Sequence, residues 1–139
     1  MKEETRTIIN YRLERAKESL KDANKLFKDE SLHSTVNRIY YAMFYSVNAL
    51  LLSRNLSSSK HSGVKALFHR EFVSKGEVDR RYGRFFSEIL ERRQAGDYRD
   101  LVTFKKEDVE VWLKKAEEFI NKIEEITLKI VEKKKETEI

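Results

Sequence analysis

The segment TVNRIYYAMFYSVNALLL, residues 35–52, decides the fold predicted for this chain. Residues 39–53 carry no charge, and the apolar side chains of the segment recur at helical spacing, which predicts a helix with a broad apolar stripe. The opposite side of this helix is also largely apolar, because Tyr41, Tyr45 and Ala49 lie on it. A helix that is apolar nearly all round must be buried on more than one side.

Two surfaces are therefore expected to cover this helix. A membrane span is excluded, because the uncharged run between Arg38 and Arg54 is shorter than the roughly 20 residues that cross a bilayer. We expect one side to pack on the chain's own core and the other on a second copy of the chain or on a partner. The residues predicted to lie in a homodimer interface are Tyr41, Tyr45, Ala49 and Arg38.

The composition of the 139-residue chain favours long helices in a single domain that spans residues 1–139. It has no proline, only four glycines and 38% charged residues. The absence of cysteine excludes disulfides, thiolate metal sites and a cysteine nucleophile. The first ten residues, MKEETRTIIN, contain no apolar core of signal-peptide length, which favours a cytoplasmic protein.

Apolar periodicity predicts five helices, four long and one short, in an antiparallel all-α bundle. The predicted helices run approximately from Thr7 to Lys28, from Ser31–Ser34 to Arg54–Asn55, from Lys60 to Val73, from Glu77 to Gln94 and from Lys105 to Lys133. The serine run at 57–59 is predicted to cap the third helix, and Gly96 is predicted to end the fourth. The charged tail at residues 132–139 is expected to fray.

The excess positive charge lies in the middle of the chain. The formal net charge is +5, and residues 54–99 contain eleven Lys and Arg against six Asp and Glu, whereas the remainder contains eighteen of each. A basic segment attracts phosphates, so this distribution indicates contact with nucleic acid or a nucleotide. The alternative is an ordinary solvated surface.

Arg93 is the first candidate functional residue, because it continues the buried stripe of the fourth helix four residues after Ile89. A guanidinium on an inward face must be paired or must line a cleft. Asp97 and Tyr98 follow one turn later. One interpretation is an internal Arg93–Asp97 pair that locks the end of the helix. The other is an arginine at the mouth of a cleft, placed to hold phosphate.

His61 is the second candidate, because it lies in the first turn of the third helix, where exposed N–H groups and the helix dipole favour anions. Lys60 and Lys65 would add donors, and the alternative is a surface histidine that supports the helix cap. His33 and His69 are interpreted as surface residues. The three histidines lack metal-ligand spacing, so neither a metal site nor a cofactor is predicted.

Three stretches, RIYYAMFYSVNALLLSRNL, KHSGVKALFHREFV and LERRQAGDY, together resemble the HEPN superfamily, and more narrowly its small stand-alone prokaryotic members. The resemblance covers roughly residues 8–126. It implies a helical bundle that dimerises, often through the central helix, and a minimal nucleotidyltransferase as protein partner. Active HEPN ribonucleases resemble one another in an arginine that is followed a few residues later by a histidine, and they cleave RNA without a metal.

The chain departs from that pattern at the histidine. Arg92 and Arg93 match the arginine, but Tyr98 takes the approximate place of the histidine. Tyrosine is a poor general base near neutral pH, since its unperturbed pKa is about 10, yet it can donate a hydrogen bond or stack on a base. His61 could supply the imidazole only if the start of the third helix lies near Arg93.

Three functions remain open at this point. The first is a dimeric RNA- or nucleotide-binding protein of toxin–antitoxin or RNA-processing type, which would be a metal-independent endoribonuclease if it is an enzyme. Its catalytic set would be Arg93, Tyr98 and Asp97, and its phosphate-binding set would be Arg92, Arg93, Lys60, His61 and Lys65. The second is a non-catalytic dimer that recognises nucleotide, RNA or a protein. The third is a structural dimer with no nucleic-acid role.

Overall fold

The computed structural model describes residues 1–98 and 102–137, without the side chain of Tyr98. Every regular element in these residues is helical, and the all-α bundle predicted from the sequence is confirmed. The helices are α1 (Glu3–Lys28), α2 (Leu32–Ser53), α3 (His61–Phe68), α4 (Arg80–Tyr98) and α5 (Lys106–Thr137), and a π-helical turn at His69–Val73 continues α3. None of the helices in the described residues combines the length and apolar character that a membrane span requires.

The predicted helix starts differ from the observed ones for local reasons. α4 begins at Arg80, later than predicted, because Asp79 Oδ1 accepts a hydrogen bond from the Arg81 amide at 2.9 Å and caps the first turn. α3 has no side-chain cap at Lys60. The Ser58 hydroxyl instead accepts a hydrogen bond from the Lys60 amide at 3.2 Å, so the predicted serine cap of α3 is wrong.

Gly96 lies inside α4 and does not end it, so that prediction is wrong. A Cβ atom at this position would lie 2.9 Å from Cε2 of Phe104 and 3.3 Å from Nδ1 of His33. The absence of a side chain therefore serves the close approach of the segment after α4 and of α2, rather than a C-terminal cap.

The charged tail is helical as far as it is described, because α5 continues to Thr137. The Nζ atom of Lys134 donates a hydrogen bond to the main-chain carbonyl oxygen of Ser53 at the end of α2. This contact ties the tail to the bundle, and the fraying of residues 132–139 stays a prediction. Residues 138–139 lie outside the described part of the chain.

α2 is the central helix, and the chain itself covers most of its circumference. It packs on α1, α3, α4 and α5, and twelve of its 22 residues are buried. Its buried serine hydroxyl groups are satisfied within the helix, since Ser46 and Ser53 donate to the carbonyl oxygens of Met43 and Leu50 at 2.7 and 2.5 Å. Much of the apolar surface of α2 is therefore covered within one protomer.

Ala49 is fully buried beneath α1, in one apolar cluster with Ile9 and Leu13. Its predicted place in a dimer interface is wrong, because the chain's own first helix occupies that side of α2. Tyr41 and Tyr45 are only half-buried. The predicted roles of these two tyrosines and of Arg38 in a dimer thus stay predictions.

An aromatic core holds α3 and α4 against α2. Phe68 of α3 meets Phe86 of α4 edge-on at 5.4 Å between ring centres, and Phe86 stacks on Tyr40 of α2 at 6.1 Å and on Phe119 of α5 at 6.0 Å. All four rings have no exposed surface. Aromatic pairs at such separations stabilise a packed core, and these pairs fix the relative positions of the helices that carry the candidate site.

Candidate functional site

Arg93 lies on the inward face of α4, where the helical stripe predicts it, and its side chain is only 16% exposed. Its guanidinium carbon lies 5.1 Å from the ring centres of both Tyr40 and Tyr41. Its Nη2 donates a hydrogen bond to the Tyr41 hydroxyl at 3.2 Å. Because a planar guanidinium packs well against aromatic faces, the two tyrosines of α2 fix the orientation of Arg93.

The Nε–H group of Arg93 has no acceptor. This nitrogen is buried, and Oδ2 of Asp97 lies 3.3 Å from it without the geometry of a hydrogen bond, so it is unsatisfied among the described residues. A buried donor without an acceptor is uncommon in folded proteins. The predicted Arg93–Asp97 ion pair thus exists, but it leaves the Nε–H donor of the guanidinium without a hydrogen bond.

His61 is the first residue of α3 and lies beside the same two tyrosines. Its Nδ1 and the Tyr40 hydroxyl oxygen are 2.7 Å apart. Its ring stacks on Phe44, with ring centres 4.4 Å apart and planes inclined by 16°, and Tyr41 meets it edge-on at 6.1 Å. Tyr40 therefore contacts both Arg93 and His61, and the start of α3 does lie near Arg93. We call Arg93, His61, Tyr40 and Tyr41 the arginine–histidine cluster.

Burial and the neighbouring guanidinium both favour a neutral imidazole. Burial is the main cause that lowers the pKa of His61, and the positive charge of Arg93 lowers it further. Burial raises the pKa of the Tyr40 phenol, so its hydroxyl keeps its proton at neutral pH. The arginine–histidine cluster thus combines a permanent cation with a neutral imidazole, whose hydrogen bond within the described residues is made by Nδ1 and not by Nε2.

Arg38 and Asp97 line a cleft of about 370 Å³ next to the cluster. The guanidinium carbon of Arg38 lies 4.9 Å from the ring centre of Tyr41, which therefore contacts two arginines. His33 also lines this cleft; it is exposed, as the sequence predicted, and its ring centre lies 4.9 Å from that of Phe104.

Two predicted site residues on α4 do not join Arg93 in the described structure. Arg92 is exposed, and its guanidinium carbon lies 5.8 Å from the ring centre of Trp112 on α5. Neighbouring residues on a helix point about 100° apart, so Arg92 and Arg93 face different helices. Tyr98 ends α4, but its side chain lies outside the described residues, and its catalytic role stays a prediction.

Of the two predicted lysines, Lys60 lies at the edge of the arginine–histidine cluster and Lys65 lies in a different cleft. Lys60 is exposed in the turn immediately before His61. Lys65 lines a separate cleft of about 470 Å³ between α3 and α4. His69 lies there too, half-buried, with its Nε2 3.0 Å from Oγ of Ser87, so it is not the surface residue that the sequence suggested. Burial lowers the pKa of His69, and the charge of Lys65 adds to the effect.

Sequence reasoning missed the roles of Tyr40 and Phe44, the two rings that hold His61. Both lie in the apolar stripe of α2, and the stripe alone assigns them to the core. The available signal was the hydroxyl of Tyr40, since a fully buried tyrosine needs a hydrogen-bond partner. His61 is that partner.

The arginine–histidine cluster has the chemistry of an anion site. It offers an unsatisfied guanidinium N–H, an imidazole and a half-buried aromatic face, Tyr41, on which a base could stack. Among the described residues, no group of three or more His, Asp or Glu side chains is placed to hold a metal ion.

The fold and the site together define a class of protein: five-helix bundles in which an inward arginine lies beside an imidazole. The HEPN domain family matches residues 9–126 of this chain. The chain therefore belongs to the HEPN domain family, and the resemblance carried by the three sequence stretches is confirmed.

Several known proteins are similar to this chain over three quarters or more of their length and of its own. The chain is 53% identical to a UPF0332 protein of Thermotoga maritima over 123 residues, which are 88% of this chain and 93% of the relative. It is 39% identical to "Putative toxin MJ0142" of Methanocaldococcus jannaschii, over 79% of this chain and 75% of that protein. It is 34% identical to "Putative toxin MJ0605" of the same organism, over 94% and 97% of the two chains. Two relatives thus carry the word toxin in their names.

Proposed function

We propose that this protein is a toxin-like HEPN protein that binds RNA through the arginine–histidine cluster. It would act as a homodimer, with a minimal nucleotidyltransferase as its partner, in a toxin–antitoxin or RNA-processing system. The names of two relatives support the toxin-like role. The resemblance to small stand-alone HEPN proteins supports the dimer and the partner.

The observation that carries the proposal is the buried Nε–H of Arg93, which lacks an acceptor while Tyr40 and Tyr41 hold the guanidinium in place. Phosphate oxygens match the planar donors of an arginine, and charge strengthens such hydrogen bonds. The half-buried ring of Tyr41 adds a face for a base. A phosphodiester with its adjoining base satisfies both features at once.

RNA cleavage is a second step that the same cluster could carry out. The 2′-hydroxyl oxygen would attack the adjacent phosphorus, its proton would pass to a base, and the bond to the 5′-oxygen would break as that oxygen gains a proton. Neutral His61 can accept the proton at Nε2 when its Nδ1–H donates to Tyr40. In the other tautomer, Nε2–H donates to a phosphoryl oxygen. Arg93 would stabilise the charge that develops on phosphorus-bound oxygens.

A non-catalytic interaction module is the alternative function. The ion pair between Arg93 and Asp97 favours it, because a paired arginine can serve packing and recognition of a protein surface. In that case the cluster would be architecture, and RNA would remain intact in the presence of the protein.

A cleavage assay in EDTA separates the two functions. Wild type is expected to convert single-stranded RNA to products that end in a 2′,3′-cyclic phosphate. His61→Gln should slow the reaction by about 100-fold or more, as loss of a general acid or base does, with unchanged circular dichroism. Intact RNA that wild type binds with steep salt dependence would indicate a binding protein without catalysis. No binding at low salt would contradict the RNA proposal and favour the interaction module.

A further inference from the structure

We infer that the outer side of the α3–α4 interface is a second phosphate-binding subsite, formed by Arg80 and Arg84, which extends the RNA-binding site by several nucleotides. The inference rests on the proposed function. It assigns the ligand as a single RNA strand that runs from the arginine–histidine cluster around α4 and along it towards the start of that helix.

Two adjoining clefts mark the path of the strand. They measure about 470 and 370 Å³, lie between α3 and α4, and share His69 and Arg84. The larger cleft begins at Lys65 and Gln94. Lys65 lies one turn after the histidine of the cluster. Gln94 directly follows its arginine but points about 100° away from it, so the path starts within one helical turn of the proposed site, on the next face of α4.

The charges place the second phosphate in the smaller cleft. Its lining residues are His69, Val73, Ser74, Arg80 and Arg84, without an acidic side chain. Both arginines are exposed, and neither makes an ion pair with the described residues. In the larger cleft, by contrast, Glu88 and Glu91 oppose Lys65. Arg80 and Arg84 thus form the part of the path that attracts a phosphate most strongly.

The wall between the two clefts has a fixed geometry. A Cβ atom on Gly83 would lie 2.9 Å from Cε1 of His69 and 3.1 Å from Val73, so the bare glycine lets the imidazole pack against α4. Ser87 holds the same imidazole by a 3.0 Å hydrogen bond. The π-helical turn at His69–Val73 begins at this histidine, and such turns are frequent at functional sites. Hydroxyl and imidazole groups here can bond the 2′-hydroxyl of RNA.

The spacing sets the length of RNA that reaches both subsites. Arg84 precedes Arg93 by nine residues on α4, which is about 13.5 Å along the axis at roughly 1.5 Å per residue. A stacked strand advances roughly 3.4 Å per nucleotide. Nine residues also turn the helix by about 900° at roughly 100° per residue, so Arg84 lies on the side of α4 opposite Arg93. The strand therefore passes around α4 as well as along it, and with a helix diameter of about 10 Å roughly six nucleotides separate the two phosphates. A trinucleotide can occupy one subsite, whereas an octanucleotide can occupy both.

The test measures binding of a trinucleotide and an octanucleotide RNA over a series of salt concentrations. Wild type is compared with the double variant Arg80→Gln/Arg84→Gln and with the matched double variant Lys122→Gln/Lys129→Gln, which removes two exposed charges from α5. For the octanucleotide, the slope of log affinity against log salt should become shallower by about 1.4 in the arginine variant, from about 0.7 per lost contact. The trinucleotide slope, and both slopes of the matched variant, should follow wild type.

The outcomes separate this inference from the proposed function. An octanucleotide that still binds with an unchanged slope would overturn the second subsite and leave RNA binding at the cluster intact. An equal loss of slope for both lengths would place the two arginines at the first site and would also overturn the extended path. Failure of wild type to bind either RNA would overturn both proposals. Circular dichroism of each variant checks that the fold is retained.

Discussion

At the scale of single residues, the contacts of Arg93 differ in energetic weight. The ion pair with Asp97 spans one helical turn, and the two side chains are 16% and 38% exposed. Ion pairs that are partly open to water stabilise a protein by about 0–1 kcal/mol. The rings of Tyr40 and Tyr41 contact the guanidinium without competing for its donors. The two tyrosines therefore position Arg93, whereas the carboxylate of Asp97 mainly offsets its positive charge.

Asp97→Asn tests this distribution. We expect the free energy of unfolding to change by less than about 1 kcal/mol in urea denaturation, and RNA affinity to rise, because a negative charge near the bound phosphate is removed. Glu125→Gln, which removes an exposed carboxylate from α5, is the matched control. A large loss of stability with unchanged RNA affinity would instead support the interpretation of the pair as a lock.

The two half-buried imidazoles, His61 and His69, predict a pH dependence of stability. Burial is the main cause that lowers the pKa values of His61 and His69 in the folded protein. Between the lowered values and the ordinary value of about 6.5, the unfolded chain binds more protons than the folded one, so stability rises with pH there and is lost as pH falls. Urea denaturation between pH 5 and 8 should show this slope, and His61→Gln/His69→Gln should reduce it. Equal slopes in the two proteins would contradict the assignment.

Residue-level prediction from the sequence succeeds where helical periodicity fixes a direction. The inward orientation of Arg93 follows from its place four residues after Ile89. The contact between His61 and Tyr40 joins residues that are 21 positions apart, on two helices. No periodicity encodes how α3 docks on α2, so the sequence could state the condition that His61 must meet but not whether it is met.

At the scale of elements, α2 shows what an apolar pattern does and does not contain. Its two-sided apolarity correctly predicts burial on more than one side. The pattern does not say which surface covers each side, because α1 and a second protomer would both present apolar stripes. Ala49 is an example: it lies beneath α1, although the sequence predicted that a second protomer would cover it. Helix ends were displaced by local contacts that only the packed structure contains, such as those of Gly96.

The packing of α3 on α4 predicts the effect of Gly83→Ala. Alanine favours a helix over glycine by about 1 kcal/mol, but the new Cβ would lie 2.9 Å from His69 and 3.1–3.2 Å from Val73. Ser87 holds His69 in place, so the clash is not readily relieved. Overpacking of this kind costs about 1–3 kcal/mol, and we expect a lower melting temperature in calorimetry. A stabilised variant would show that α3 and α4 are not held this closely.

At the scale of the whole molecule, the homodimer remains a prediction. α1 covers one side of α2, so a second copy would contact the surface that remains, which includes the half-buried Tyr41 and Tyr45. Light scattering at micromolar concentration should give a mass twice that of the 16.6 kDa chain. The mass of a single chain under these conditions would contradict the dimer.

RNA binding through the arginine–histidine cluster is tested most directly by a comparison of two neighbouring arginines. Arg93→Gln and Arg92→Gln remove the same charge from adjacent positions, but Arg93 lies in the arginine–histidine cluster and Arg92 lies on Trp112. Hydrogen bonds to charged groups contribute about 1.5–3 kcal/mol, so Arg93→Gln should weaken binding of single-stranded RNA by about tenfold or more at fixed salt. Arg92→Gln should change it by less than about threefold. Equal effects of the two substitutions, or no effect of Arg93→Gln in a protein of unchanged helix content, would contradict the account.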